Sequence, residues 1–191
     1  MIPRWIKILY SLFLCVLVPI YWRDYGPTNF LWGSDIALFV ILGALWLENP
    51  LLNSMMVIGI LPFEIAWIID FVAGGQLLGM AGYMFEPERK LYLKALSLFH
   101  VMLPVLMIFL LYRIGYDRRA LLAQTLLLWI VLPVTYLATD SVENINLVYG
   151  FGKEPQTLMH PLLHLVLEMA LLPVAIYLPA HMVLQRIFNR S

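Results

Sequence analysis

Cysteine and charge are both scarce in this chain of 191 residues. Cys15 is the single cysteine, so the chain can form neither an intrachain disulfide nor a CxxC redox motif, and a cysteine-rich zinc site is excluded. Charged residues make up 13% of the sequence, and 12 basic residues are balanced by 12 acidic ones. Because the net charge is zero, the chain has no broad basic face, and we predict no nucleic-acid partner.

Apolar residues are correspondingly abundant. They account for 62% of the chain, and the mean hydropathy is +0.85. A soluble domain is typically about half apolar and a quarter charged. The difference indicates that the chain folds in a bilayer, and its length predicts a single transmembrane domain over residues 1–191.

Six stretches are apolar for long enough to be spanning helices, since a span needs ~20 residues. They cover residues 5–22, about 30–47, about 52–72, about 93–112, 120–139 and about 161–185. Five of them contain an internal proline, which removes a backbone hydrogen bond and tends to kink a helix: Pro19, Pro62, Pro104, Pro133 and Pro173. The predicted fold class is all-α, a polytopic transmembrane helix bundle with about six spanning helices and proline kinks.

The link at residues 73–92 is too apolar to be a free loop. Leu77, Leu78 and Met80 are followed there by Met84 and Phe85. We expect this link to lie in the membrane interface or to fold back onto the protein.

Lysine and arginine are divided unequally between the two sides that six spans define. The side of the N-terminus carries seven: Arg4, Lys7, Arg113, Arg118, Arg119, Arg186 and Arg190. The other side carries five: Arg23, Arg89, Lys90, Lys94 and Lys153. Since basic residues favour the cytoplasm, we predict a multi-pass protein of the cell (inner) membrane with both termini cytoplasmic.

Most of the ionisable side chains in the spans fall in the non-cytoplasmic half of the bilayer, and the other half is almost purely apolar. The members are Asp35, Glu64, Asp70, His100, Asp140, His160, His164 and Glu168. A charge at mid-membrane costs at least ~2.5–3.5 kcal/mol on insertion scales, so we expect these groups to meet in one polar cavity that opens outward. The alternative is a place at the helix ends among the lipid headgroups, which suits Asp70, Asp140 and His160 best.

One set of candidate catalytic residues is Ser34, Asp35 and His100, with Glu64 or Asp70 as other acids that could orient the histidine. A serine becomes a nucleophile when a histidine takes its proton and a carboxylate orients that histidine. The alternative is a hydrogen bond between His100 and a carboxylate that only fixes helix packing.

A second set, His160, His164 and Glu168, repeats every four residues and would share one helical face. Such a face can bind zinc. Pro161 weakens this prediction, because the residue before a proline avoids the helical conformation. A structural pair of His164 and Glu168 is favoured, so we predict no cofactor, with zinc as the alternative.

A third set lies in the amide-rich loop before the last span and comprises Asp140, Asn144 and Asn146. With Asp70, these are the candidate substrate-binding residues, able to contact a headgroup or to hold a cation through oxygen atoms. The alternative is a hydrogen-bonded turn.

The run from Trp22-Arg23-Asp24-Tyr25-Gly26-Pro27 through Asn146 resembles a group of uncharacterised bacterial multi-pass membrane-associated proteins. Three features more distantly resemble YwaF-type membrane proteins and the androgen-inducible fatty-ester hydrolases. They are Ser34-Asp35, then Ser97-Leu98-Phe99-His100 followed by Arg113-Ile114-Gly115-Tyr116, and the asparagine-containing loop. The resemblance implies that Ser34, in place of the threonine or cysteine of those relatives, is a nucleophile and His100 its base.

The leading prediction is a lipid ester or acyl hydrolase, or an acyltransferase, whose partner is membrane lipid. Ser34, His100 and Asp35 or Glu64 would act there, with Asn144 or Asn146 near the developing oxyanion. One alternative is a non-enzymatic binding or partner subunit, or a small-solute pathway, although an apolar cytoplasmic half argues against a pore. Another is a zinc-dependent intramembrane hydrolase, because Ser34, Asp35 and the final HxxxH loosely resemble the alkaline ceramidase-like enzymes.

Overall fold

The computed structural model describes residues 1–152 and 155–188, and within them the chain is helical, with no β-strand. The α-helices of these residues are α1 (Arg4–Tyr25), α2 (Gly33–Leu47), α3 (Pro50–Gly59), α4 (Leu61–Val72), α5 (Leu91–Ser97), α6 (Phe99–Ile114), α7 (Ala120–Ala138), α8 (Pro161–Leu172) and α9 (Leu178–Phe188). Short 3₁₀ turns lie at Pro27–Leu31, Gly82–Phe85 and Ile145–Leu147, and one π-helical turn at Pro173–Tyr177 joins α8 to α9. The all-α prediction is confirmed for this part of the chain.

Four helical segments among the described residues are long and apolar enough to cross a membrane: Arg4–Tyr25, Leu91–Ile114, Ala120–Ala138 and Pro161–Phe188. α3 and α4 meet the same criteria only together, and they are bent by 48°, so they add at most a fifth span. α2 is apolar but has 15 residues. At ~1.5 Å per residue such a helix is shorter than the ~30 Å hydrocarbon core. The structure therefore supports a membrane protein with four or five spans rather than establishing six.

The predicted third span is broken at Ile60, between α3 and α4. Pro62 follows the break and lacks the N–H that would continue the helical ladder. Pro173 likewise begins the π turn, whereas Pro19, Pro104 and Pro133 lie inside helices that continue past them. The break starts α4 in a new direction and places Glu64 in its first turn.

α3 lies at the centre of the bundle, packed against α2, α6 and α7. Its apolar contacts belong to a core that is closed to solvent, including Leu38, Ile41, Met56, Leu103 and Met107. Polar side chains also join helices inside this core. Asn53 donates to the Met107 carbonyl at 3.1 Å, and Tyr10 donates to the Leu38 carbonyl at 2.9 Å. A buried side chain that satisfies a neighbour's carbonyl fixes the mutual register of the two helices.

The outer faces of the long helices are apolar and exposed. On α1 these residues are Trp5, Leu9, Leu12 and Val16, and on α7 they are Leu122, Leu126, Ile130 and Leu137. A soluble protein rarely exposes apolar area on this scale. In a bilayer these faces meet lipid, in agreement with a membrane protein.

One end of the bundle, here called the terminal end, gathers the N-terminus, the link between α2 and α3, and the link between α6 and α7. Glu48 accepts from the Ile2 amide at 3.1 Å and from the Lys7 ammonium at 2.8 Å. The hydrogen bond from Lys7 holds the pKa of Glu48 below its usual range. The Asp117 amide donates to the Ser54 hydroxyl at 2.9 Å, which joins the link between α6 and α7 to helix α3.

The opposite end, here called the cavity end, joins the end of α1 to the start of α5. Asp24 accepts from Lys90 at 3.0 Å and from Tyr92 at 3.1 Å, and Arg89 donates to Tyr25 at 2.7 Å. Two residues of the charge count, Lys153 and Arg190, lie outside the described residues.

Candidate functional site

A cavity of about 650 Å³ lies between α2, α4, α6, α7 and α8. Ligand-binding cavities commonly occupy ~300–1,000 Å³. Its polar lining includes Ser34, Asp35, Glu64, Ser97, His100, Gln124, Glu143, Asn144, Asn146, Glu168 and Tyr177. The structure thus brings Asp35, Glu64, His100 and Glu168, which come from four different helices, to the wall of one space.

Glu64 and His100 form a polar pair in the cavity wall. The Nδ1 atom of His100 lies 2.7 Å from Oε2 of Glu64, whose side chain is almost fully buried. The imidazole is stacked between the rings of Trp67 and Phe99, with centroid distances of 4.6 and 4.1 Å. Its Nε2 atom has no hydrogen-bond partner in the described part of the chain and is not buried. Glu64 therefore orients the ring, and Nε2 reaches the cavity.

Ser34 and Asp35 occupy the first turn of α2 and line the same cavity. No hydrogen bond joins Ser34 to His100 within the described residues. Asp35 accepts one long hydrogen bond through Oδ2 from Asn29, at 3.4 Å, and its buried Oδ1 has no partner. Three acids were predicted as partners of His100. Glu64 forms a hydrogen bond with it in the structure, and Asp35 and Asp70 do not.

Asp70 does not line the cavity, because its carboxylate organises the chain that follows α4. Oδ1 accepts from the Leu78 amide at 2.7 Å and from the Gly79 amide at 3.3 Å, and Oδ2 accepts from the Ala81 amide at 2.7 Å. The side chain is closed to solvent. These bonds fold the link at 73–92 back onto the protein, where Leu78, Gly79 and Met80 form part of the cavity wall. The Asp70 carboxylate therefore has a structural role in this link, and its predicted contact with a substrate stays a prediction.

Asn146 connects the loop before α8 to the start of α2. Its Oδ1 accepts from the Gly33 amide at 2.9 Å, and its Nδ2 donates to the Leu31 carbonyl at 2.7 Å and to the Thr135 hydroxyl at 3.2 Å. Both amide hydrogens therefore have acceptors, and neither remains for an oxyanion. Asn146 instead holds the turn that presents Ser34.

Asn144 and Asp140 shape their own loop. Asn144 adopts a left-handed conformation, with φ at 41°. Its Nδ2 donates to the carbonyls of Gly150 and Gly152 at 2.9 and 3.2 Å. Asp140 is exposed and accepts from two backbone amides of the turn that follows it, at 2.9 and 3.1 Å. Both residues thus make the hydrogen bonds of a turn, as in the alternative considered above, and Asn144 also lines the cavity.

The predicted zinc ligands do not meet. His160 precedes Pro161 in an extended conformation and caps α8, where its Nδ1 accepts from the Leu162 amide at 3.3 Å. His164 donates through Nε2 to the Leu147 carbonyl at 3.0 Å, and Glu168 lies in the cavity wall. No group of three His, Cys, Asp or Glu residues in ranges 1–152 and 155–188 is placed to hold a metal ion. The proline separates His160 from the helical face that the spacing predicted.

Known proteins do not identify this chain. No protein-family model matches it, no curated protein matches its sequence, and no solved structure matches its fold. A function must therefore be argued from the cavity.

Gln124 and Tyr177 are cavity residues that the sequence analysis missed. Gln124 lies about one turn into α7 from the terminal end, and its buried Oε1 has no partner in the described part of the chain. The Tyr177 hydroxyl lies beside it. Gly59 makes room for this amide, since a Cβ atom there would overlap the Gln124 side chain. A lone glutamine in the apolar run of α7 was the signal in the sequence for this part of the cavity.

Proposed function

We propose that the protein is a multi-pass membrane enzyme that hydrolyses or transfers acyl chains of lipid esters, with His100 as its general base. One observation carries the proposal: Glu64 holds Nδ1 of His100 while Nε2 reaches a cavity whose wall includes Ser34. A carboxylate on Nδ1 fixes the tautomer in which Nε2 is free to accept a proton. It also stabilises the imidazolium that results.

In the proposed reaction, the Ser34 oxygen attacks the ester carbonyl carbon while its proton passes to Nε2 of His100. The tetrahedral intermediate collapses, the carbon–oxygen bond to the alcohol breaks, and His100 returns the proton to that alcohol. Water, or a second alcohol, then attacks the acyl group on Ser34 by the same route and releases the acid or a new ester. Ser34 and His100 need to approach within ~2.6–3.2 Å for the first step, a contact that often tightens only when substrate binds.

The donors for the oxyanion would be the backbone amides of Ser34 and Asp35 in the first turn of α2. Asn144 and Asn146 have no amide hydrogen to offer. The amides of a first helical turn carry no intrahelical bond, and the helix dipole favours negative charge there. A pair of such donors is the usual form of an oxyanion hole.

The test is covalent labelling by a fluorophosphonate probe in mild detergent. The wild-type protein should be labelled, Ser34→Ala should not, and His100→Gln and Glu64→Gln should react at least tenfold more slowly. Ser97→Ala is the matched control, because Ser97 also lines the cavity but its hydroxyl is bonded to that of Tyr21 at 3.0 Å. Equal labelling of wild type and Ser34→Ala would refute the proposal.

A second candidate is a ligand-binding membrane protein that performs no reaction. It is favoured by one observation, the lack of a hydrogen bond between Ser34 and His100. On this hypothesis the protein binds a lipid ester but does not convert it. His100→Gln would then weaken binding, and neither wild type nor the variant would release a product. Vesicles that contain the protein and a fluorogenic lipid ester distinguish the two candidates, because fluorescence rises only if the protein cleaves the ester.

We further propose that α2 is a sixth span, that both termini are cytoplasmic, and that the cavity opens on the other side. The 3₁₀ turn Pro27–Leu31 precedes α2 and lengthens its path across the membrane. Six of the described basic residues lie at the terminal end and four at the cavity end. In a chain whose Cys15 is replaced, an impermeant maleimide should label Ser141→Cys on intact cells but not Arg118→Cys. The reverse pattern would invert the orientation.

A further inference from the structure

Glu168 is a carboxyl group that has no partner among residues 1–152 and 155–188. It lies in α8, about 10 Å along the helix from Pro161 at ~1.5 Å per residue. The residue is 4% exposed, its Oε2 is buried, and neither carboxyl oxygen has a hydrogen bond or an ion pair in the described part of the chain. Removing an unpaired carboxylate from water costs several kcal/mol, so natural proteins retain one inside a membrane mainly where it has a function.

The described lining of the cavity has more unpaired acceptors than donors, since Nε1 of Trp67 is the one buried unpaired donor there. The amide oxygen of Gln124 is buried and unpaired, and so is Oδ1 of Asp35. Arg89 is the one arginine among the described lining residues, and it already donates to Tyr25 at 2.7 Å and to Glu86 at 3.2 Å. An occupant that satisfies these acceptors has to bring its own hydrogen-bond donors.

Aromatic rings form much of the remaining wall. Tyr177 and Phe63 line the same cavity as Glu168. The faces of such rings attract cations, by about 0.5–2 kcal/mol according to how far the cation is desolvated. Acceptors and aromatic rings together suit a cation that also donates hydrogen bonds.

We propose that Glu168, Gln124 and Tyr177, here called the Glu168 pocket, bind the primary ammonium group of an amphiphile. An ammonium offers three N–H donors and no acceptor, and it supplies the positive charge that Glu168 lacks. A carboxylate or phosphate would be repelled by Glu168, and an alcohol offers one donor for several acceptors. The pocket does not depend on the reaction proposed above, since neither Ser34 nor His100 belongs to it. The amine belongs to a lipid headgroup or to a free alkylamine.

The experiment measures thermal unfolding of the full chain in phosphatidylcholine vesicles with added n-octylamine, and with octanol as the uncharged analogue. Octylamine should raise the midpoint of wild type in a saturable manner, and octanol should not. Glu168→Gln should weaken the apparent affinity for octylamine at least tenfold. Gln124→Leu, which removes an uncharged acceptor, should weaken it less. Glu143→Gln is the matched control at the mouth, where Glu143 already accepts from Thr28 at 3.2 Å, and should leave binding unchanged.

Vesicles that also contain phosphatidylethanolamine distinguish the sources of the amine. If the headgroup binds, these vesicles stabilise wild type but not Glu168→Gln without added octylamine. If only free amines bind, the vesicle composition has no effect while octylamine still stabilises the protein. The proposal is overturned if octanol stabilises as much as octylamine, or if Glu168→Gln binds octylamine as wild type does. Because no step uses Ser34, a failure to label that serine leaves this result unaffected.

Discussion

The carboxylate of Asp70 makes a sharp prediction about the link that covers the cavity. In Asp70→Asn the side chain keeps its shape, but one of its two oxygen atoms becomes an NH₂ group. Three backbone amides, those of Leu78, Gly79 and Ala81, converge on the two oxygens of the wild-type carboxylate. At least one of these amides must therefore lose its acceptor and face another donor inside the protein.

The magnitude follows from the kind of bond that is lost. A hydrogen bond to a charged group contributes ~1.5–3 kcal/mol, and the position is closed to water, so the unpaired amide finds no substitute. We expect the link to open more easily by about 1.5–3 kcal/mol, which corresponds to roughly ten- to a hundredfold faster opening-limited hydrogen exchange. Helix α4 itself should be affected little, because Asp70 lies in its last turn.

The assay is hydrogen–deuterium exchange of the peptide that contains Leu78, Gly79 and Ala81, in detergent and with matched protein concentrations. Asp140→Asn is the control, because Asp140 also accepts from backbone amides but does so on an exposed loop, where water replaces the lost bond. In that variant, exchange of the peptide that contains the Val142 and Glu143 amides should change less than threefold. If Asp70→Asn leaves exchange of the 78–81 peptide unchanged, the carboxylate does not hold the link and the structural role is refuted.

Three further predictions concern the two ends of the bundle and its centre. Asn146→Ala should lower the free energy of unfolding by ~2–3 kcal/mol, measured by thermal unfolding in detergent, because the partly buried Leu31 carbonyl and Gly33 amide at the start of α2 lose their partner. Gly59→Ala should lower the unfolding temperature by forcing the Gln124 side chain to move, and the double variant with Gln124→Ala should recover most of the loss. The ion pair of Glu48 and Lys7 should stabilise the protein fully above pH 4.5, the ordinary pKa of a glutamate. This stabilisation should be lost as the pH falls through the pKa of Glu48 in the folded protein, which is lower than 4.5. The stability difference between wild type and Glu48→Gln should therefore vanish in acid.

Helix positions could be predicted well from composition. The predicted stretches 93–112 and 120–139 correspond to Leu91–Ile114 and Ala120–Ala138. Such agreement has a simple cause, since a bilayer requires an uninterrupted apolar run whose ends are marked by polar residues and glycine.

Breaks within the spans could not be predicted from proline alone. Pro62 follows a break of 48°, yet Pro104 and Pro133 are carried inside continuous helices. A proline is tolerated inside a membrane helix when neighbouring groups satisfy the carbonyl that it frees, and a single sequence does not show those neighbours. The predicted stretch 30–47 has 18 residues, whereas α2 has 15 residues in α-helical form, because the chain before it forms the 3₁₀ turn Pro27–Leu31.

The meeting of polar residues was predictable, but the use of each one was not. Depth along the predicted spans predicts that Asp35, Glu64, His100 and Glu168 lie at one end of the bundle, and the structure places all four in the wall of one cavity. The choice of Glu64 as the partner of His100 depends on the bend at Ile60, and the capping role of Asn146 depends on a backbone amide 113 residues away. The pattern of polar side chains along a sequence does not show which backbone amides lie nearby in the fold. Side chains that bind those amides are therefore easily mistaken for ligand-binding residues.

The π turn at Pro173–Tyr177 has a consequence for how this protein can change in evolution. Glu168 and Tyr177 are nine residues apart, and at ~100° per residue a regular α-helix would place them on opposite faces. Both nevertheless line the cavity, because the wider turn holds an extra residue and rotates the chain that follows. If a substitution turned the π turn into a regular α-helix without removing a residue, everything after it would rotate by about 100°. Tyr177 would then leave the Glu168 pocket, and His181 would lose Tyr116. Deleting Ala175 as well would bring Tyr177 back to the face of Glu168, since eight residues of regular helix turn through about 80°. Selection for this pocket would therefore preserve the residues that keep the π turn, or else exchange that turn for a span one residue shorter.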